Sequence, residues 1–282
     1  MPANSAFPII LTHGIARFDV FWKNIVPVDN QDDPVQDLLH YFCGVRTFLR
    51  SKGFDVHHSS VPWAENVESR AARLKKNVLS VLAKTGAKKV NLIAHSMGGL
   101  DARHMLFSDK NDGKVHEKIA SLTTIGTPHL GTSFADEGLR AHGDLIEVVR
   151  RLELDIEGFR DLTREACARF DENSEVRRFE DEMGDRIELR AFTGETSRRN
   201  VLGILRLPLD IIASEEGRND GLVPVSSALW NRAIETGVWA ETDHFNELAW
   251  WDLEQVSEED PVNLTSRIHD KYLEIARKLP RG

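Results

Sequence analysis

Short apolar runs separated by amphipathic stretches indicate that strands and helices alternate along the chain. Residues 8–11, 90–94 and 122–125 are apolar and each run ends in Gly, His, Ser or Pro, as buried parallel strands do where they lead into functional loops. Between the first two runs, the apolar residues of segment 66–85 recur with the helical period of about 3.6 residues. We therefore predict a strand–helix–strand crossover in this part of the chain.

The remaining pattern extends this alternation towards both ends of the chain. A helix over residues 35–52 and a strand over residues 54–59 precede the crossover, and an amphipathic helix beginning at Asp260 and Pro261 closes the sequence. Asn66 and Asp260 are predicted N-caps, because their side chains accept hydrogen bonds from free backbone N–H groups. We expect a mostly parallel sheet flanked by helices, in a single domain that covers residues 1–282.

The segment 134–185 departs from the alternation. It is rich in charged, helix-favouring residues and shows no strand pattern. Two interpretations stay open, a set of ordinary surface helices and a helical lid over an active site. Because the motifs on either side carry candidate catalytic residues, we favour a helical lid inserted at about residues 134–185.

Composition argues against several classes of partner. The formal net charge of −9 disfavours a nucleic-acid surface, which requires clustered Lys and Arg. No window approaches the roughly 18 to 20 apolar residues of a membrane span, and the first residues lack the basic and apolar regions of a secretion signal. The cysteines, Cys43 and Cys167, have no zinc or redox spacing. We expect a cytoplasmic protein with no transmembrane segment and no nucleic-acid partner.

The strongest chemical motif lies in residues 90–100. A strand pattern runs into Ala94-His95-Ser96-Met97-Gly98, and a helical pattern follows at once. Small residues two before and two after the serine permit the sharp turn that exposes a nucleophilic hydroxyl. Ala94 stands where glycine is usual, but it keeps the volume small. We predict that Ser96 is a nucleophile.

A serine nucleophile needs a histidine to take its proton and a carboxylate to orient that histidine. In the order Ser, acid, His that α/β-hydrolases use, Asp220 lies in a turn between apolar segments and His244 follows it. His269 is the other downstream histidine, but it falls on the polar, solvated side of the predicted C-terminal helix. Asp243 is the main rival acid, but its place directly before His244 makes a bond to that ring awkward. We therefore predict the triad Ser96, Asp220 and His244.

Two backbone N–H groups are expected to stabilise the oxyanion of such a reaction. One belongs to Met97, the residue after the nucleophile, and the other to Ile15, where Gly14 lets the loop after the first strand turn. Other histidines adjoin these motifs. Structural roles are expected for His13 and His95, and a position at the hinge of the lid for His129.

In their order along the chain, these motifs resemble those of the bacterial true lipases, the family I triacylglycerol lipases. The matching motifs are His13-Gly14, Ala94-His95-Ser96-Met97-Gly98-Gly99, Gly126-Thr127-Pro128-His129-x-Gly131 and Asn219-Asp220-Gly221. The resemblance implies an α/β-hydrolase fold with a helical lid after Gly131. It also implies ester hydrolysis through an acyl-enzyme on Ser96, with His244 and Asp220 as partners.

The same resemblance raises the question of a structural calcium ion. Many members of that family hold calcium through an aspartate two positions after the catalytic histidine and through a second aspartate upstream. In this chain Asn246 occupies the first position, and the stretch 194–197 offers Glu195 but no aspartate. A neutral amide supplies one oxygen and no charge, so it binds a hard dication more weakly. We expect no metal and no cofactor.

The expected substrate is an acylglycerol ester, bound at a lipid–water interface because an open lid would expose an apolar surface. The main alternative is a carboxylesterase or thioesterase that acts on short, soluble acyl substrates with the same triad. A binding protein without catalysis is disfavoured, because every catalytic position is occupied by a competent residue. Acyl transfer to an alcohol uses the same acyl-enzyme, and the sequence leaves that alternative open.

Overall fold

Six strands form one parallel sheet in the part of the chain that the structure describes. The computed structural model describes residues 7–14, 37–59, 61, 65–140, 148, 156–252, 255 and 260–282. Its strands are β1 (Ile9–Thr12), β2 (Val56–His58), β3 (Val90–His95), β4 (Ile119–Ile125), β5 (Glu188–Glu195) and β6 (Glu235–Ala240). Neighbouring strands all pair in parallel, in the order β2-β1-β3-β4-β5-β6. Their carboxyl ends therefore lie at one edge of the sheet.

Helices cover both faces of this sheet. They are α1 (Val45–Ser51), α2 (Val67–Thr85), α3 (Met97–Ser108), α4 (Ser133–Leu139), α5 (Ile156–Arg160), α6 (Arg164–Asp171), α7 (Ser174–Gly184), α8 (Arg206–Glu215), α9 (Val225–Ala228) and α10 (Pro261–Lys278). Helix α1 contacts α10, and α2 contacts α3. None of the helices in the described ranges combines the length and the apolar composition that a membrane crossing requires.

Two apolar layers, one on each face of the sheet, form the core. Successive side chains of β1 alternate between these layers, as the geometry of a strand requires. Ile9 and Leu11 belong to the layer under α1 and α10, whereas Ile10 belongs to the layer under α2 and α3. All three side chains are fully buried. Because both faces are covered, the central strands have the continuous apolar runs seen in the sequence.

The two predicted amphipathic helices are confirmed, together with their caps. Asn66 accepts a hydrogen bond from the Ser69 N–H at 3.0 Å at the start of α2, and Gly86 ends this helix with a left-handed φ of 69°. Asp260 accepts a hydrogen bond from the Val262 N–H at 2.9 Å at the start of α10. Each N-cap satisfies a backbone donor that the first helical turn leaves free, which contributes about 1 kcal/mol.

The helix predicted over residues 35–52 is wrong in extent. Helix α1 covers only Val45–Ser51, residues 37–38 are helical, residues 39–44 form turns and bends, and residues 35–36 lie outside the described part of the chain. The turn ends at Gly44, whose φ of 67° is left-handed, and the Asp37 carboxylate accepts a hydrogen bond from the Thr47 N–H at 2.8 Å. The apolar residues before Gly44 have helical spacing, but this turn interrupts the helix.

Strands β5 and β6 were not predicted from the sequence. Strand β5 carries Glu188 and Arg190, and Arg190 pairs with Glu235 of β6 at 3.3 Å. Strand β6 lies at the edge of the sheet and is only partly buried. These charged residues interrupt the apolar runs that identify buried strands, so neither element has a continuous apolar pattern in the sequence.

The segment 134–185 contains helices and no strand among its described residues, in agreement with its sequence pattern. Part of it is fixed to α3 by Arg103, whose guanidinium donates to Glu180 at 2.8 Å and to Asp171 at 2.9 Å. Arg103 and Glu180 are each 2% exposed. These ion pairs join α6 and α7 to the helix that follows Ser96. The interpretation of the whole segment as a lid stays a prediction.

We expect Arg103→Met to lower the free energy of unfolding by about 1.5–3 kcal/mol, because it removes the nearest charged donor of the buried Glu180 and leaves it only Arg232, at 3.4 Å. Arg169→Met is the control, since Arg169 pairs with Glu165 at 3.6 Å on the surface of α6 and should cost at most about 0.5 kcal/mol. Urea denaturation followed by circular dichroism measures both values. Equal losses for the two variants would contradict an anchoring role for Arg103.

Candidate active site

Loops at the carboxyl edge of the sheet carry the predicted site residues. Gly14 follows β1, Ser96 follows β3, Asp220 lies between β5 and β6, and His244 follows β6. Open α/β sheets bind their ligands at this edge. The parallel arrangement therefore brings together residues that are far apart in the sequence.

Ser96 occupies a strained turn between β3 and α3. Its φ is 56° and its ψ is −133°, a combination that non-glycine residues rarely adopt and that costs about 1–3 kcal/mol. The Ser96 N–H donates to the Ile125 carbonyl at 2.9 Å, and the Ser96 carbonyl accepts from the Thr127 hydroxyl at 2.8 Å. These contacts at the end of β4 hold the turn, which has the geometry of a nucleophile elbow.

The residues on either side of the turn must be small, as the sequence suggested. A Cβ on Gly98 would lie 2.6 Å from the His13 carbonyl oxygen and 2.8 Å from the Thr12 carbonyl oxygen. Ala94 is fully buried in β3. The end of β1 therefore approaches the first turn of α3 closely, and a larger side chain at Gly98 would push the loop after β1 away from Ser96.

Asp220 and His244 form a buried, directly bonded pair. The His244 Nδ1–H donates to Asp220 Oδ2 at 2.8 Å, and the two side chains are 4% and 0% exposed. The other carboxylate oxygen of Asp220 accepts hydrogen bonds from the Leu222 and Val223 N–H groups at 2.8 and 2.7 Å. Since Nδ1 carries the proton in this arrangement, Nε2 of His244 is the acceptor.

The pair lies near the carboxyl end of β3. The His244 ring centroid is 4.5 Å from that of His95, the last residue of β3 and the one that precedes Ser96. Ser96, Asp220 and His244 are all buried, and Ser96 is 4% exposed. The three predicted triad residues therefore lie in the same buried region at this edge of the sheet.

The rival acid Asp243 is engaged by other groups. Its Oδ1 accepts hydrogen bonds from the Phe245 and Asn246 N–H groups at 2.9 and 2.8 Å, and its Oδ2 accepts one from the Leu202 N–H at 2.8 Å. Burial raises the pKa of Asp243 to about 6. Asp243 therefore shapes the loop that carries His244, whereas Asp220 binds the imidazole ring.

The structure describes one of the two predicted oxyanion donors. Met97 is the first residue of α3, where backbone N–H groups have no acceptor within the helix. Ile15 lies outside the described residues, but its neighbour Gly14 packs against the nucleophile. A Cβ on Gly14 would lie 2.6 Å from Ser96 Cβ and 2.7 Å from the Tyr41 hydroxyl. The loop after β1 therefore approaches Ser96 at a position that only glycine fits.

A second buried carboxyl group beside the triad, that of Glu247, was not predicted. Its Oε2 lies 3.8 Å from His244 Nδ1 and 2.9 Å from His95 Nε2, and its Oε1 accepts a hydrogen bond from the Gly194 N–H. Burial, together with the charge of Asp220, raises the pKa of Glu247 well above its usual value. A glutamate three residues after a histidine is not a motif, so the nearness of Glu247 to His244 along the chain is the one signal that could have indicated its place.

His13 and His129 are held by neighbouring groups. His13 Nδ1–H donates to the Gly14 carbonyl at 3.0 Å, and His13 Nε2 accepts from the Val61 N–H at 3.2 Å. The His129 ring is stacked on the Trp230 ring with centroids 4.8 Å apart, and burial lowers the pKa of His129 well below its usual value. Both rings are buried, in agreement with a structural role for His13.

His269 differs from its expected environment. It was expected on the solvated side of the C-terminal helix, but it is half-buried, and its Nε2–H donates to the Cys43 carbonyl at 2.9 Å. Its ring is stacked on Phe48 with centroids 4.8 Å apart. The expectation was wrong because α1 packs on α10 and covers this position. His269 lies outside the cluster around Ser96.

Asn246, at the position where the resemblance to bacterial lipases implies a calcium ligand, has a hydrogen-bonded side-chain amide. The Asn246 Nδ2–H2 group donates to the Trp250 carbonyl at 2.8 Å and to Gln255 Oε1 at 3.2 Å. Glu195 is paired with Arg218. Calcium requires several oxygen ligands with negative charge, but here an amide donor and an arginine occupy those places. The residues therefore do not fit a calcium ion.

Among the described residues, one group of three side chains has metal-ligating atoms close together, namely His95, His244 and Glu247. All three are buried. His244 Nδ1 already donates to Asp220, and His95 Nε2 already bonds Glu247. A metal ion at this place would have to displace the hydrogen bond that orients His244.

Part of the chain is similar in sequence to lipases. A family model described as a PGAP1-like alpha/beta domain matches residues 68–153. Triacylglycerol lipase 2 of Saccharomyces cerevisiae is 37% identical over 158 residues, which are 46% of this chain and 48% of that protein. A triacylglycerol lipase of Pseudarthrobacter phenanthrenivorans is 36% identical over 137 residues, 48% of this chain and 37% of that protein. The chain spans about half, or less, of the length of these relatives.

Solved structures share the fold along most of the chain. The mature Bacillus licheniformis lipase BlEst2 matches with a TM-score of 0.61 at 21% identity, over 87% of this chain and 86% of that chain. The metagenomic carboxyl esterase MGS0156 matches with a TM-score of 0.67 at 17% identity, over 96% of this chain and 76% of that chain. The chain therefore has the α/β-hydrolase fold and, over about half of its length, is similar in sequence to triacylglycerol lipases.

Proposed function

We propose that this chain is a serine ester hydrolase and, more narrowly, a triacylglycerol lipase. The observation that carries the proposal is the 2.8 Å bond between His244 and Asp220, formed beside the strained turn that presents Ser96. In this proposal Ser96 is the nucleophile, His244 the general base and Asp220 the group that orients and stabilises the imidazolium. Met97 and Ile15 supply the backbone N–H donors of the oxyanion hole.

The proposed reaction proceeds through an acyl-enzyme. His244 Nε2 takes the hydroxyl proton as Ser96 Oγ forms a bond to the ester carbonyl carbon, and the two backbone N–H groups stabilise the resulting oxyanion. The intermediate collapses, the ester C–O bond breaks and His244 returns the proton to the leaving alcohol. A water molecule then attacks the acyl-enzyme with His244 again as base, which releases the fatty acid and restores Ser96.

Sequence similarity supports an acylglycerol as the substrate. The relatives with 36–37% identity are named triacylglycerol lipases. We therefore extend the proposal to a substrate at a lipid–water interface. The cytoplasmic location expected from the sequence stays a prediction.

The proposal involves no metal ion or other cofactor. Proton transfer by His244 and backbone N–H groups at the oxyanion account for each step of ester hydrolysis. The one position at which the lipase resemblance suggested calcium holds Asn246, whose amide donates to the Trp250 carbonyl. Hydrogen bonds between protein groups thus hold the loop that carries His244.

We expect Ser96→Ala to reduce ester hydrolysis at least about a thousandfold, because it removes the proposed nucleophile. Ser121→Ala is the matched control, since Ser121 is also buried but donates to Asn91 at 2.7 Å within the sheet, and its activity should stay within about twofold. Initial rates on p-nitrophenyl esters from acetyl to palmitoyl, with a tributyrin emulsion alongside, measure both effects.

The chain-length series also separates the two candidate activities. Cleavage of the long esters and of the emulsion supports the lipase, whereas turnover restricted to the shortest esters identifies a carboxylesterase with the same triad. Activity that persists in Ser96→Ala would show that another group is the nucleophile.

The identity of the acid can be tested with two aspartates. Asp220→Asn should lower kcat by about 10⁴-fold, because an amide cannot hold the required imidazole tautomer or stabilise its positive charge. Asp243→Asn should keep most of the turnover and mainly lower the melting temperature, since Asp243 bonds backbone N–H groups of its loop. Steady-state kinetics and thermal unfolding decide the assignment, and the reverse ranking of the two kcat values would assign the acid to Asp243.

We expect chelation to have no effect on this protein. Incubation with EDTA should leave the rate on p-nitrophenyl butyrate unchanged and the melting temperature within about 1 °C, because Asn246 and Glu195 are already engaged by protein groups. Added calcium should likewise raise neither value. Loss of activity in EDTA that calcium restores would contradict the absence of a structural metal.

A further inference from the structure

A buried hydrogen-bonded network runs from the loop after β1 to the loop that carries His244. The Tyr41 hydroxyl is hydrogen-bonded to the backbone of Gly14 and lies 2.8 Å from His95 Nδ1. On the other side of the same ring, His95 Nε2 lies 2.9 Å from Glu247 Oε2. Tyr41, His95 and Glu247 are 6%, 0% and 0% exposed. We call these three side chains the Tyr41–His95–Glu247 network.

One end of the network determines where Gly14 lies. Gly14 is packed between Ser96 and the Tyr41 hydroxyl, since a Cβ there would lie 2.6 Å from Ser96 Cβ and 2.7 Å from that hydroxyl. The next residue along the chain is Ile15, whose N–H is the proposed oxyanion donor. A hydrogen-bond donor is effective only at about 2.7–3.1 Å from the developing charge. In the proposed mechanism, the place of Gly14 against Ser96 therefore matters for stabilisation of the oxyanion.

The other end contacts the catalytic histidine. Glu247 Oε2 lies 3.8 Å from His244 Nδ1, and the ring of His95 lies 4.5 Å from the ring of His244. Glu247 Oε1 accepts a hydrogen bond from the Gly194 N–H in β5, which fixes the carboxyl group relative to the sheet. The network thus touches both His244 and the backbone that presents Gly14.

The backbone around Tyr41 is itself tied to the loop of His244. The Trp250 indole N–H donates to the Tyr41 carbonyl at 3.0 Å, and the Cys43 N–H donates to the Leu248 carbonyl at 3.2 Å. The backbone of Tyr41 and Cys43 is therefore attached to the loop that carries His244, while the Tyr41 hydroxyl reaches the loop after β1. No peptide segment connects these two loops directly, because β2, β3, β4, β5 and β6 lie between them in the sequence.

The environment of the network favours uncharged side chains. Burial and the nearby His244 keep the pKa of His95 well below its usual value, and burial with the charges of Asp220 and Asp243 raises that of Glu247. Tyr41 has a raised pKa because it is buried. The network is therefore suited to act through its hydrogen bonds and its packing.

We propose that Tyr41 is a positioning residue. Together with His95 and Glu247, it holds the loop after β1, at Gly14, in a fixed position relative to the loop that carries His244. The inference rests on the proposed ester hydrolysis at Ser96. Its consequence is that Tyr41, which does not touch the reacting atoms, controls stabilisation of the transition state. Binding of the ground-state ester does not depend on it.

Tyr41→Phe tests the inference, because it removes the hydroxyl and keeps the ring. We expect kcat on p-nitrophenyl butyrate to fall about 10- to 100-fold with KM within about twofold, since a displaced oxyanion donor weakens only the transition state. The inhibition constant of phenylboronic acid, whose tetrahedral adduct with Ser96 needs the same donors, should rise by a similar factor. Tyr272→Phe is the matched control, because it removes a buried hydroxyl that donates to the Glu247 carbonyl at 3.0 Å.

The outcomes separate the inference from the function on which it rests. If the wild type has no Ser96-dependent turnover, the proposed function fails. If the wild type is active but Tyr41→Phe and Tyr272→Phe show equal kcat and equal boronate affinity, Tyr41 is only a packing residue and the inference fails. His95→Phe, which removes both ring nitrogens from the network, provides a second test. It should reproduce the loss of kcat, and a folded variant with wild-type kcat would overturn the inference.

Discussion

Ser96 is held at a φ of 56°, and the surrounding structure must keep it there. Three neighbouring strands provide the restraint: β3 ends at the turn, the end of β4 bonds the Ser96 backbone, and the end of β1 presses against Gly98. The strain of about 1–3 kcal/mol persists because these contacts would all have to break before it could relax. A parallel sheet buried on both faces therefore serves here as the rigid support for one side chain, that of Ser96.

Around this turn, the polar groups are nearly all satisfied by other protein groups. The Asp220 carboxylate receives hydrogen bonds from Leu222, Val223 and His244, and Asp243 receives its own from the loop that it shapes. In a buried, low-dielectric site each of these bonds is stronger than in water, and each unpaired group would be costly. Polar contacts thus hold the loops of the site, whereas apolar contacts hold the core around the sheet.

Those features that depend on local sequence could be predicted. The caps at Asn66 and Asp260 and the turn at Ser96 each follow from a few neighbouring residues, and the structure shows all of them. Strands β5 and β6 could not be found in this way, because tertiary pairing of Arg190 with Glu235 satisfies charges that interrupt their apolar pattern. The placement of Glu247 is equally non-local. Its partners come from β3 and β5, which are far from it in the sequence, so no local spacing predicts them.

Two carboxyl groups beside one imidazole raise a question of charge. A second negative charge beside His244 would stabilise the imidazolium form and thereby disfavour the neutral ring that accepts the proton. The structure separates the two groups by their surroundings. Asp220 has three hydrogen-bond donors, whereas Glu247 has a backbone donor at Gly194 and the ring of His95, and the charge of Asp220 opposes its ionisation. The surroundings of Glu247 thus favour its neutral form, whereas those of Asp220 supply the hydrogen-bond donors that a carboxylate accepts.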